Sequence, residues 1–184
     1  MSIQSQNTDQ LIQQSQQGDT AAFGLLMQRH QDYAFRLAYR LLGCGEESRD
    51  VVQESFIRVW QHLARFRKNH RFTTWLYRIV VNLATDRLRQ RQRRRAMSLE
   101  HAPELPDTAA SADVVMERRE AAMHIETLAA TLPEKQRLVF VLRDLEDCSV
   151  EETARILGIG KGAVKSHLYL ARKRIREAWE DGHV

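Results

Sequence analysis

Lys161, Lys165, Ser166, Tyr169, Arg172 and Lys173 fall at helical spacing within the stretch Ser149 to Arg176. At 3.6 residues per turn, that spacing gathers ammonium groups, a guanidinium, a hydroxyl and a phenol on one side of a helix. Such a set donates hydrogen bonds to phosphates and base edges, so its chemistry is recognition of a polyanion. The other side of the same helix carries Val164, Leu168, Ala171 and Ile175. A shorter helical pattern precedes it through Val150, Thr153, Ala154 and Leu157. Ser149 as N-cap and Glu152 three residues later predict a capping box, and Gly158 fits the turn between the two. Two helices joined in this way are a helix-turn-helix, whose second helix enters the DNA major groove. The competing reading is an ordinary helical hairpin with a solvated basic face.

Two further clusters could do chemistry of the same non-covalent kind. Arg87, Arg89, Arg91, Arg93, Arg94 and Arg95 lie within nine residues, too many for the local carboxylates to neutralise. The basic loop from Phe66 to Phe72 precedes them, then a helical pattern with Trp75, Leu76, Ile79, Val80, Leu83 and Leu88 inside and Thr73 or Thr74 as its cap. Arginine beside exposed amides and aromatics suits phosphates and unpaired bases. Asp50, Gln53, Glu54, Ile57 and Gln61 make the third cluster, opposite the apolar stripe Val52, Phe56, Val59 and Leu63. That face is either a docking surface for a basic partner or a solvated face with one stray apolar residue.

The elements that position these residues all read as helices. They run from about Gln10, from Asp19 to Gly43, from Glu46 to Phe66, from Thr73 to the arginines, from Asp113 to Thr131, and from Pro133 onward. No strand pattern stands out. Residues 96–112 contain Pro103 and Pro106 and no apolar period, which predicts a linker. The expected fold is therefore all-α: two small helical domains, residues 1–95 and 113–184, joined by a flexible acidic linker at 96–112, with a helix-turn-helix in the second. Charge divides likewise: +8 over residues 1–95, −5 over 96–131 and +1 over 132–184, within a net +4. Leu138, Val139, Val141, Leu142 and Leu145 are expected to pack their helix against the helix-turn-helix.

Other chemistry is excluded on spacing. Gly158-Ile159-Gly160-Lys161-Gly162 has glycines like those of a phosphate loop, but it follows a helical pattern and lacks Ser or Thr after the lysine. The seven histidines and two cysteines form no zinc spacing, and the carboxylate pairs sit on solvated faces, so no metal, cofactor, small-molecule substrate or enzymatic site is expected. Unpaired Cys44 and Cys148, the polar start and the lack of an apolar span predict a cytoplasmic protein without membrane insertion.

The segments DVVQESFIRVW (50–60), RFTTWLYRIVVNLATDRLR (71–89) and LPEKQRLVFVLRDLEDCSVEETARILGIGKGAVKSHLYLARKRI (132–175), with the GDTAAFGLLMQRH opening, resemble bacterial RNA polymerase sigma factors of the extracytoplasmic-function group. The resemblance covers most of the chain in the family's order. It implies a protein that directs core polymerase to promoters, promotes strand opening and is held in check by an anti-sigma factor. The first domain would bind the polymerase clamp helices through Asp50, Gln53, Glu54 and Ile57, with Phe56 inside. Minus-ten DNA would meet Arg67, Lys68, Asn69, His70 and Arg71, the family's specificity loop, together with Arg78, Asn82 and Arg87. Minus-thirty-five DNA would meet Lys161, Lys165, Ser166, Tyr169, Arg172 and Lys173, and this second domain would also touch the polymerase flap. The resemblance departs at His167 and Leu170, where the family often carries arginine, which leaves the preferred minus-thirty-five sequence open. Two rivals stand beside it: a two-domain transcriptional regulator with a similar helix-turn-helix, for which residues 1–95 offer neither a receiver nor a ligand-binding half, and a helical adaptor or anti-terminator that binds polymerase or RNA without choosing promoters.

Overall fold

A computed structural model of the chain describes residues 7–67, 71–97 and 116–181. The expectations for Lys68, Asn69 and His70, for Asp113 to Val115 and for most of the 96–112 linker lie outside the described residues. All the elements described are helical: α1 (Thr8–Gln16), α2 (Thr20–Leu42), α3 (Gly45–His62), α4 (Phe72–Met97), α5 (Met116–Thr131), α6 (Glu134–Phe140), α7 (Val150–Leu157) and α8 (Lys161–Asp181).

Local chemistry sets most boundaries. The Asp19 carboxylate accepts from the Ala21 and Ala22 N–H groups at 2.9 and 3.0 Å and starts α2. Gly43, at φ 65°, ends α2 in the left-handed conformation. Three boundaries differ from expectation. The helix expected to reach Phe66 stops at His62 and tightens into a 3₁₀ turn over Leu63–Arg65. The Gln16 amide of α1 satisfies the freed carbonyls, donating to Leu63 O and Phe66 O at 2.9 Å each. Helix α4 begins at Phe72, so Thr73 and Thr74 lie in its first turn. The Phe72 ring is clasped by Phe66, Trp75 and His30, which draws it into the helix. Pro133 is the N-cap of α6, one place earlier than its expected first helical position.

Helices α1 to α4 bury one apolar cluster that includes Leu26, Leu37, Leu41, Val51, Phe56, Val59, Leu76 and Val80. Close helix approach is helped by Ser48 and Ser55, whose buried hydroxyls donate back to Cys44 O and Val51 O at 2.6 and 2.7 Å. The second cluster gathers Ala129, Leu132, Val139 and Phe140 against Val164, Leu168 and Ala171 of α8.

Helix α6 corrects the expected packing. Only its Val139 and Phe140 face α8; Leu138, Val141 and Leu142, with Ile156 of α7, join the core of α1 to α4. A helix apolar on several sides is buried on several sides. Beyond α6 the chain widens into a π turn over Val141–Leu145. There the Arg40 guanidinium donates to Leu145 O at 2.6 Å and to the Glu146 carboxylate at 2.5 Å, and pairs with Glu126 at 3.1 Å. The Tyr77 hydroxyl donates to Glu146 at 3.2 Å, and burial together with the Glu146 charge pushes its pKa well up. Only 5% of the Glu146 side chain is exposed, so removing Arg40 would strand a buried carboxylate at a cost of about 3–5 kcal/mol.

Candidate nucleic-acid interface

The apolar side of α8 determines what its outer side can offer. Val164 and Ala171 are fully buried and Leu168 nearly so, which turns Lys165, Ser166, Tyr169 and Lys173 outward. The supporting turn forms as expected. The Ser149 hydroxyl accepts from the Glu152 N–H at 3.1 Å, and the Glu152 carboxylate accepts from the Ser149 N–H at 2.9 Å. That backbone bond holds Glu152 below the usual carboxylate range. Gly158 adopts φ 66°, and Ile159 N–H reaches back to Ala154 O at 3.1 Å.

Lys165, Leu168, Tyr169, Arg172, Lys173 and Arg176 line an open groove of about 500 Å³. Their charges are not equally free. Asp144 of the π turn grips Arg172 through two oxygens at 2.6 and 2.8 Å, which raises the guanidinium's pKa further. Lys161 pairs with Glu151 at 2.7 Å and Lys173 lies 3.7 Å from Glu177. Lys165, Ser166 and Tyr169 have no ion-pair or hydrogen-bond partner among the described residues.

On α4, Arg78, Asn82 and Arg87 are all exposed. Arg78 and Asn82 are one turn apart on one side; Arg87, nine residues and about two and a half turns from Arg78, leaves the helix on another. Asn82 opens into a groove of about 380 Å³ whose walls include Arg58, Asp86 and Arg89 from one half and Glu134 and Lys135 from the other. Arg71 is 80% exposed yet lies 3.2 Å from Glu152, and Arg89 lies 2.9 Å from Glu134. Arg91 pairs with Glu47 at 2.7 Å and donates to Leu42 O at 3.1 Å. The arginine cluster therefore has more neutralising partners than a local count suggested, because Glu47 and Glu134 are more than forty residues away in sequence. Arg67, Arg78, Arg87, Arg93 and Arg94 have no ion pair among the described residues.

The α3 face matches its expected composition. Asp50 and Gln53 are exposed, Glu54 is held by Arg58 at 3.0 Å, and Ile57 is 44% exposed, while Phe56 is buried beneath them. Sequence reasoning missed Trp60. It is 40% exposed beside Ile57's turn and packs on Phe23 with ring centroids 4.8 Å apart. Its place three residues after Ile57 was the available signal. Trp75, by contrast, sits against Phe66 at 5.0 Å as a core residue.

Fold and faces together define a class: an all-helical protein with a helix-turn-helix over α7 and α8 and an apolar face bordered by carboxylates on α3. Residues 26–94 match the family model for sigma-70 region 2, and residues 123–175 match that for sigma-70 region 4. The chain is 32% identical over 179 residues to the ECF RNA polymerase sigma factor SigW of Bacillus subtilis, covering 92% of this chain and 95% of that one. It is 35% identical over 179 residues to the RNA polymerase sigma-H factor of Pseudomonas aeruginosa, covering 92% of each. The structure of CnrH in complex with the cytosolic domain of CnrY superimposes with a TM-score of 0.68 at 26% identity, over 97% of this chain and 100% of that chain. The chain belongs to the ECF RNA polymerase sigma factors. Among the described residues no helix is long and apolar enough to cross a membrane.

Proposed function

We propose that this sigma factor docks on core RNA polymerase through Asp50, Gln53, Glu54, Ile57 and Trp60, reads minus-thirty-five DNA with α8, and opens the minus-ten element with the loop at residues 67–71 and the Arg78–Asn82 side of α4. The observation that carries this reading is the outward set Lys165, Ser166 and Tyr169, held away from the core by Val164, Leu168 and Ala171 and free of internal partners among the described residues. A good bidentate base contact on such a face discriminates by roughly 1–3 kcal/mol. Arg172 and Lys173 position the helix on phosphates, which carry affinity without sequence information.

At the minus-ten element the division of labour follows from energetics. Extruding a base costs a few kcal/mol of stacking and pairing, and hydrogen bonds from amides and arginines to the exposed edge offset part of that. The groove beside Asn82 is walled by Glu134 and Lys135 of α6, so strand capture there requires α6 to move away. Two modest sites on one promoter then reinforce each other through effective concentration. Control by an anti-sigma factor, and action in the cytoplasm on a polymerase that carries the catalytic chemistry, complete the reading. The complex of CnrH with the cytosolic domain of CnrY supports a protein partner of this kind.

The test is initiation by purified core polymerase on a linear promoter. Adding the chain should yield promoter-specific transcripts. No such transcripts, with dimeric binding to a palindrome instead, would make the chain a regulator.

A further inference from the structure

Five large apolar side chains are more than a third exposed among the described residues: Tyr33, Ile57, Trp60, Tyr169 and Leu170. Two of them are consecutive on α8, on the helix with the groove-lining cations. Tyr169 is 69% exposed and has a hydroxyl that can hydrogen-bond; Leu170 is 41% exposed and has no polar atom. Leu170 lies one turn beyond Ser166 and three residues before Lys173, both exposed, so it shares their outward side and not the stripe Val164, Leu168 and Ala171.

A leucine there restricts its own partners. Pressed against the edge of guanine, adenine or cytosine, it would strip water from donors and acceptors without replacing those bonds. In the major groove one base edge differs: thymine presents its C5-methyl group there. We infer that Leu170 is a specificity-determining residue of α8 that selects a thymine, on either strand, at one base pair of the upstream promoter element. This rests on the reading of α8 as the minus-thirty-five helix. Ser166 and Tyr169, both exposed, can still hydrogen-bond neighbouring edges, while Lys173, three residues on and exposed on the same outward side, supplies charge for the phosphates.

The experiment uses the full chain bound to core polymerase and a promoter whose upstream element has been selected from a random pool. Each thymine of that element is replaced in turn by deoxyuridine, which lacks only the methyl group. At one position the replacement should weaken occupancy about fourfold, the value of one methyl group taken from water. Leu170→Ala should respond equally to thymine and uracil at that position. Leu170→Arg should exchange the thymine preference for guanine at the same base pair. The inference is overturned if the selected element contains no thymine, if deoxyuridine is silent everywhere, or if Leu170→Ala still senses the methyl group. A Leu170→Ala defect of equal size on every promoter would also overturn it and place the side chain against polymerase. Failure of the wild-type chain to give any promoter-specific transcripts is a separate result, and it would strike the reading of the whole protein.

Discussion

Helices α3 and α8 both turn apolar side chains to the outside, and the charge around those side chains has opposite sign. Ile57 and Trp60 stand near Asp50, Gln53 and Glu54; Tyr169 lines a groove with Lys165, Arg172 and Lys173, and Leu170 is exposed three residues before Lys173. An apolar pair bordered by carboxylates suits a basic protein groove, whereas one bordered by cations suits a polyanion. The contrast teaches that a net charge of +4 describes neither surface. Charge is sorted by helix. Trp60 is also braced by Phe23, while no ring contact braces Tyr169 among the described residues.

The largest effect should come from reversing the sign on α3. Asp50→Lys combined with Glu54→Lys should weaken association with core polymerase by ~100-fold or more, because each like-charge juxtaposition costs several kcal/mol. Circular dichroism should be unchanged, since neither side chain is buried. Retained core affinity in titrations with labelled polymerase would erase the contrast.

A smaller effect should separate the cations of α8 from one another. Lys173→Ala, whose ammonium lies a loose 3.7 Å from exposed Glu177, should lower promoter affinity of the holoenzyme uniformly across sequences and reduce the salt-dependence slope by about one. Arg172→Ala should do less, because Asp144 already holds that guanidinium. Asp144→Asn should tighten promoter binding a few-fold by releasing it, at the rough scale of an exposed charge pair. Equal slopes for the two cation variants, measured by filter binding across salt, would show that the internal pair does not compete with phosphate.

The smallest effect concerns the buried side of α2 that meets Phe72 of α4. Burial, and then the Arg29 guanidinium, hold the pKa of His30 below its ordinary value of 6.5. The native state therefore resists protonation while the unfolded chain accepts it. The stability this gives is complete above the unfolded pKa and is lost as pH falls through that region toward the lower folded value. Thermal unfolding followed from about pH 7.5 to about 5.5 should show the decline, and His30→Leu should flatten it. An unaltered slope in the variant would assign the decline to other groups.

Much of this arrangement was legible in the residues. The Ser149–Glu152 capping box, the Gly43 and Gly158 stops, the apolar stripe of α8 and the buried Phe56 follow from short-range rules, and all appear where those rules put them. Long-range pairing was not legible. Nothing in the local sequence joins Arg40 to Glu146, Arg89 to Glu134 or Arg172 to Asp144, so several cations that looked free are partly neutralised. Helix α6 escaped for a related reason: continuous apolar residues indicate burial without saying against which neighbour. Trp60 was overlooked because an aromatic near an apolar stripe reads as core until the packing shows its outer edge.

The contact between the halves changes what the backbone between them must do. Leu138, Val141, Leu142 and Ile156 enter the first core, and Arg40 clasps Glu146 beside Tyr77. Side-by-side placement is thus a property of side chains. A chain nicked between Met97 and Met116 should therefore still elute as one particle in native gel filtration.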